Sequence, residues 1–191
     1  MREATIATRL KEETRAEHRA TEDLLLGKGL RSRDVSLTQY EHLIATSYLV
    51  WNHLVECFQE QDNSVPNLPI FLGLRDALLQ DVNLLKLEPR TTTIEFSPNS
   101  VAAALGAQYV LLGSTLGGRM IAKLLPACPE LSHLPSFHFY RACGQVPPAT
   151  WPKFQRLLAE RITTTAEQEA CLAAARATFN LYAELYPTGN S

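Results

Sequence analysis

Two groups of residues in this 191-residue chain have types and spacings that could do chemistry. The first centres on His18, which continues the series Ile6, Leu10 and Thr14 at every fourth position. That spacing makes one inward stripe on an amphipathic helix. Imidazole is the commonest protein ligand for a metal, and at physiological pH its neutral form is at hand. Glu22 follows one turn later on the same face and can accept the proton of one ring nitrogen. Such a partner fixes the tautomer and leaves the other nitrogen free for a metal. Lys11 precedes His18 by two turns, about 10 Å along a helix axis, a distance that suits an anionic group at the edge of a large ligand. The alternative is a hydrogen-bonded core histidine with no ligand.

The second group is Gly113-Ser114-Thr115-Leu116-Gly117-Gly118. Three glycines inside a helical pattern cost roughly 3 kcal/mol against alanine, so something must offset them. Gly113 and Gly117 are four apart and share a face, where missing side chains let a flat object press on the backbone. The glycines also permit a kink. A close helix crossing of the GxxxG type explains the same residues. A phosphate loop does not, because the glycines lie within a helix instead of between a strand and a helix.

Other chemistry is absent from the pattern. Cys57, Cys128, Cys143 and Cys171 form no CxxC pair. Scattered thiols, with no apolar leader among the first ten residues, point to a reduced, cytoplasmic protein. His42 and His53 are too far apart for a one-turn metal pair, and His133 and His138 match no zinc template. There is no HExxH, no GxSxG and no di-iron glutamate set.

These groups need elements to hold them, and the helical period dominates. The spacing predicts a first helix from Ile6, ended by Gly27 and Gly29. A second begins at Ser36, whose spacing to Gln39 is that of a capping box. A third covers 70–86 with Leu78, Leu79, Val82 and Leu85 inward. A fourth runs from about Pro98 to Leu125 and is stopped by Pro126. The proline-rich stretch 126–148 reads as loop with a short helical turn near Phe137 to Tyr140. Thr150 is the expected N-cap of a helix to about Ile162. Thr165 with Gln168 has capping-box spacing before a last helix to about Leu185. No pair of alternating runs is joined by a hairpin signal. The expectation is one all-α domain over residues 1–191. Hydrophobic residues make up 46% of the chain, enough for a core. The formal net charge of −2 argues against nucleic-acid binding. No apolar run reaches the about 18 residues of a membrane span, so no membrane partner is expected.

With these residues in view, a resemblance emerges. Leu10 to His18, reading LKEETRAEH, with Glu22, resembles the proximal helix of haem oxygenases. Tyr109 to Gly118, reading YVLLGSTLGG, resembles their distal helix in the bacterial, biliverdin-producing branch. Trp151, Phe154 and the run Ala175 to Phe179 are similar to the family's C-terminal part. The likeness covers most of the chain in the right order.

The resemblance implies a single-domain helical bundle with haem sandwiched between the first helix and a Gly-kinked distal helix. It makes His18 the axial iron ligand, Glu22 its hydrogen-bond partner and Lys11 the contact of a haem propionate. Gly113, Gly117 and Gly118 would let the distal backbone approach the haem, Ser114 would stand beside the reacting face, and Phe179 would line the pocket. The implied reaction opens haem to biliverdin, carbon monoxide and ferrous iron with dioxygen. Its electrons would come from a ferredoxin or flavoprotein reductase, since no flavin or nicotinamide fingerprint is present. A monomer is the expected form. One departure matters: Ser114 stands where many members carry an aspartate. It leaves open a haem-binding or haem-transfer protein on the same fold that does no chemistry. Neutral histidine ligation leaves iron able to bind oxygen without a thiolate's electron push, and the flat apolar ring with its carboxylates explains why one site needs glycines, an aromatic and a lysine.

Overall fold

Ile6, Leu10 and Thr14 are buried at intervals of one turn, and they set the first contact of the bundle. The computed structural model describes residues 5–25, 27, 29–60, 65–88 and 93–187. Nine α-helices follow in chain order among them: α1 (Ile6–Glu13), α2 (Arg15–Leu25), α3 (Gly29–Ser32), α4 (Leu37–Glu60), α5 (Leu68–Leu84), α6 (Val101–Leu124), α7 (His138–Gln145), α8 (Thr150–Arg161) and α9 (Thr165–Leu185). Two 3₁₀ turns, Leu125–Ala127 and Pro129–Leu131, lie between α6 and α7. The described residues contain no strand.

The first expected helix is two. Thr14 leaves helical geometry at φ −107° and ψ 12°, while its hydroxyl donates to the Leu10 carbonyl at 2.7 Å. The chain then re-enters a helix, with His18 N–H donating to the Thr14 carbonyl at 2.9 Å. Gly27 ends α2 at φ +46°, the left-handed conformation that spares a residue without Cβ. Its N–H reaches back to the Glu22 carbonyl at 3.0 Å.

The capping box at Ser36 is present as expected. Ser36 N–H donates to Gln39 Oε1 at 3.0 Å, and Gln39 N–H donates to Ser36 Oγ at 3.1 Å. The expected box at Thr165 lies one residue earlier. Thr164 accepts from Glu167 N–H at 3.2 Å, and Glu167 Oε2 accepts from Thr164 N–H at 2.9 Å. A glutamate serves as well as a glutamine, so both frames matched the pattern and only backbone geometry chose between them. Thr150 is also no N-cap. It is the first, buried residue of α8, preceded by Ala149, which makes no capping bond.

In α5, Leu78 and Val82 are inward, but Leu79 is exposed and Leu85 half-buried. The helical turn expected near Phe137 to Tyr140 is the start of α7, which runs on to Gln145 and is eight residues long. Its start is fixed by Asp81 of α5, a fully buried carboxylate that accepts His138 N–H and Phe139 N–H, each at 2.8 Å. A cap supplied from 57 residues away leaves no local signal. Trp51 and Phe139, with centroids 5.4 Å apart, join α4 to α7 in the aromatic core.

α6 is the central helix and packs mainly on α9. With its 3₁₀ extension to Ala127 it is long and apolar enough to cross a membrane, contrary to the reading of short apolar runs. Of its apolar window 67% is buried within the bundle, which accounts for the composition. It runs unbroken through its glycines. All four cysteines are buried free thiols.

Candidate functional site

The α6 glycines are spared a side chain for different reasons. A Cβ on Gly106 would lie 2.1 Å from the Cys171 carbonyl oxygen, so α6 and α9 cross there at backbone contact. A Cβ on Gly118 would lie 2.8 Å from Cys143 Cβ, so this glycine admits α7. A Cβ on Gly113 would meet the Trp151 ring at 3.6 Å, an ordinary contact. A Cβ on Gly117 would meet nothing within 4 Å. The helix-crossing explanation therefore holds for Gly118, and for Gly106, which the sequence analysis did not single out. Gly118 is buried against Cys143 and Tyr140, turned about 100° from Gly117. Its expected contact with a cofactor gives way to one with α7. Gly117 keeps the open side.

Around Gly117 the surface of α6 is unusually apolar. Leu116 is 47% exposed and Met120 59%. Ser114 is exposed, yet its hydroxyl donates to the Leu111 carbonyl at 2.8 Å. It therefore faces outward only as an acceptor. Thr115 makes the same bond to Leu112 at 2.7 Å.

α2 is the other wall. None of its eleven residues is buried. The stripe that begins with Ile6, Leu10 and Thr14 leaves the core at His18, whose side chain is 55% exposed. The hydrogen-bonded core histidine is thereby excluded. His18 Nδ1 is 3.6 Å from Glu22 Oε2, so Nε2 is the nitrogen turned away from that carboxylate. Lys11, Glu12, Arg15 and Arg19 are exposed along the same two helices. Lys11 has no ion pair among the described residues.

α9 is the floor. Phe179 is buried and meets the His18 ring edge-on, with centroids 5.7 Å apart. α9 also carries Arg176, which binds the Glu13 carbonyl at 3.2 Å and approaches Glu17 at 3.5 Å. Arg9 reaches Gln168 and Glu169 at 2.7 and 2.8 Å. These bonds hold α1 and the start of α2 on α9.

α6 and α2 both pack against α9. Gly106 lies on Cys171 near one end. Farther along, Cys143 of α7 lies against Gly118. Two expected residues, His18 and Phe179, meet, with Glu22 beside the first, while Gly113, Ser114 and Gly117 share α6. A cleft of about 590 Å³ between α6 and α7, lined by Arg119, Lys123 and Arg141, includes neither His18 nor Gly117. No group of three or more metal-ligating side chains occurs among the described residues. One imidazole with an open opposite side fits an iron whose other ligands come from a macrocycle.

Fold and site together define an all-α protein in which a histidine-bearing helix, and a glycine-bearing helix with exposed apolar residues, both pack on the last helix. The chain belongs to the haem oxygenase family: the sequence profile described as Heme oxygenase matches residues 4–188. A heme oxygenase of Xanthomonas campestris pv. campestris (strain 8004) is 35% identical over 104 residues, 54% of this chain. The match spans 61% of that relative's length. The NO- and CO-bound heme oxygenase of Neisseria meningitidis superposes with a TM-score of 0.73 at 22% identity, covering 97% of this chain and 98% of that one. The heme oxygenase of Leptospira interrogans gives 0.71 at 20% identity, over 96% and 98%. The cyanobacterial heme oxygenase of Synechocystis, in complex with heme, gives 0.73 at 16% identity, over 96% and 91%. At these identities the structures share the fold.

Proposed function

We propose that this protein binds haem between α2 and α6 and opens it oxidatively to biliverdin, carbon monoxide and ferrous iron, with dioxygen and an external one-electron donor as co-reactants. The observation that carries the reading is the pair of unburied faces. α2 has no buried residue, and α6 exposes Leu116, Gly117 and Met120. α2 and α6 both pack on α9, which carries Phe179. A flat apolar ring would cover both faces, and burial of apolar area is the main source of affinity in such a site.

His18 Nε2 would be the iron ligand, with Glu22 across Nδ1 orienting the ring. Phe179 would stop the imidazole from rotating. Lys11 would meet a carboxylate at the ring's edge. Gly117 would admit the ring to the α6 backbone, with Gly113 beside it under the Trp151 ring, and bound iron would supply the oxygen chemistry. Ser114 accepts hydrogen bonds on the open side, so it would hold a water and not donate a proton itself. No described histidine shares the glycine face of α6, so a proton would reach that side through such water.

A ferredoxin or flavoprotein reductase is the donor proposed, and a reducing cytoplasm suits four buried free thiols. The test is haem titration followed by reduction in air. Loss of the Soret band with growth of biliverdin absorption is the expected result. A complex whose Soret band survives competent reduction would instead be the haem-binding or haem-transfer protein that Ser114 brings into view. No complex at all would overturn both readings.

A further inference from the structure

The cleft of about 590 Å³ between α6 and α7 lies away from the glycine face. Successive helical residues are turned by about 100°, so Arg119 stands about 160° and Lys123 about 120° from the direction of Gly117. Both line the cleft from α6, and Arg141 lines it from α7. The buried rings of Phe137 and Tyr140 supply an apolar lining. The chain carries 20 Asp and Glu against 18 Lys and Arg, yet no carboxylate is among the residues that line this cleft.

Three features here work against the free protein. Arg119 and Lys123 are one helical turn apart, where like charges repel. Neither of them, nor Arg141, forms an ion pair among the described residues. Gly144 stands within α7 and lines the cleft, yet a Cβ there would meet nothing within 4 Å. A helical glycine is less stable than alanine, and no neighbouring backbone requires this one, in contrast to Gly106 against Cys171. A bound anion accounts for all three, since it would pair the cations and fill the space beside Gly144. Arg119 also donates to the Val146 carbonyl, which anchors its guanidinium near the end of α7.

We propose that this cleft is a binding site for a small organic dianion, an apolar body carrying two carboxylates, held by Arg119 and Lys123 of α6 and by Arg141 of α7. The volume is that of a small-molecule pocket. A guanidinium pairs with a carboxylate through two parallel N–H···O bonds, and the lysine ammonium adds a point charge. The aromatic lining receives the apolar body. Such a ligand ties α6 to α7 beside the contact of Gly118 with Cys143. The site is separate from the haem face and stands without the haem reading.

The test is calorimetric titration of the full chain, with and without haem, using naphthalene dicarboxylate as the probe. The wild type should bind it at one site in both forms. Lys123→Ala and Arg141→Ala, both at exposed positions, should each weaken binding about fivefold, the effect of one partly exposed ion pair. Gly144→Leu adds a side chain to open space and should abolish binding without lowering the unfolding midpoint. Gly117→Leu, on the far face of α6, should leave binding unchanged. Inorganic pyrophosphate, which has the charge without the apolar body, should bind about tenfold more weakly or worse. No binding of the dicarboxylate to the wild type at millimolar concentration would overturn the proposal, as would binding that survives Gly144→Leu. Loss of binding in Gly117→Leu would place the probe on the haem face and overturn it equally. Pyrophosphate binding as tight as the dicarboxylate would remove the organic ligand. Capture of an acidic ferredoxin through the same cations, with the dicarboxylate unbound, would make the cleft a protein dock and not the site proposed.

Discussion

The Phe179 ring stands edge-on to the His18 imidazole, with centroids 5.7 Å apart and planes at 87°. One residue belongs to the floor of the bundle and is buried, while the other is 55% exposed on a helix that buries nothing. The imidazole is therefore positioned by a rigid neighbour but not enclosed by one. That arrangement suits the ligand role proposed for it.

Replacement of His18 should separate binding from stability. His18→Ala removes the edge contact, worth about 1 kcal/mol, and otherwise alters an exposed position. Thermal unfolding of the ligand-free protein should shift by about 2–4 °C at most for that loss in a chain of this size. The ferric haem spectrum should change completely, with loss of the histidine-ligated Soret band. A native spectrum in His18→Ala would remove it as the ligand.

The glycines should respond in opposite ways. Gly117→Leu adds a side chain to open space and replaces a poor helix former, so the ligand-free protein should gain up to about 1 kcal/mol. Its haem affinity should collapse. Gly118→Ala places a Cβ 2.8 Å from that of Cys143. Overpacking of this kind costs about 1–3 kcal/mol, which chemical denaturation of the ligand-free form would register.

Asp81 should prove essential to α7. Burial pushes its carboxyl up, while the N–H groups of Phe139 and His138 hold it down. Asp81→Ala leaves those two donors unpaired in the core, and each such group costs about 1–3 kcal/mol. A large drop in the unfolding midpoint is expected, with loss of Trp51 fluorescence structure as Phe139 is released. An unchanged midpoint would show that α7 caps itself.

The Glu167 cap supplies a pH dependence with a definite sign. Bonds from the Thr164 and Thr163 backbone hold its carboxyl below the usual range. A lowered native pKa means that the cap contributes fully above the unfolded value, about 4.3, and is lost as pH falls through the native value. The stability gap between the wild type and Glu167→Ala should therefore be constant near neutrality and shrink in acid. A gap that widened on acidification would contradict the assignment.

The thiols should be inert. Burial pushes Cys143 and Cys171 up to about 12, so little thiolate exists at neutral pH. A thiol reagent such as DTNB should leave both unlabelled in the native protein and label them on unfolding. Fast native labelling would place them nearer the surface than α7 and α9 allow.

Much was legible in the chain alone, because local chemistry reports local structure. The one-turn series Ile6, Leu10, Thr14 and the reciprocal Ser36–Gln39 cap are read from neighbours in sequence, and both occur. The features that escaped, the Thr14 break, the Asp81 cap and the exposure of Leu79, depend on what lies across the bundle. Gly118 was grouped with Gly117 because a one-residue step looks trivial in a sequence. On a helix it is a turn of about 100°, from solvent to the face of α7.

By itself the sequence determined that this protein is helical, that His18 and Glu22 share a helix face and that the α6 segment is poor in side chains, since periodicity and residue type set those properties directly. Only the tertiary structure decided that α9 packs against both α2 and α6, that His18 leaves the core where its stripe predicted burial, and that one glycine of the segment faces outward while another admits a helix. The reason is physical: exposure and register are fixed by the packing of elements far apart in the chain, and no local pattern contains that information.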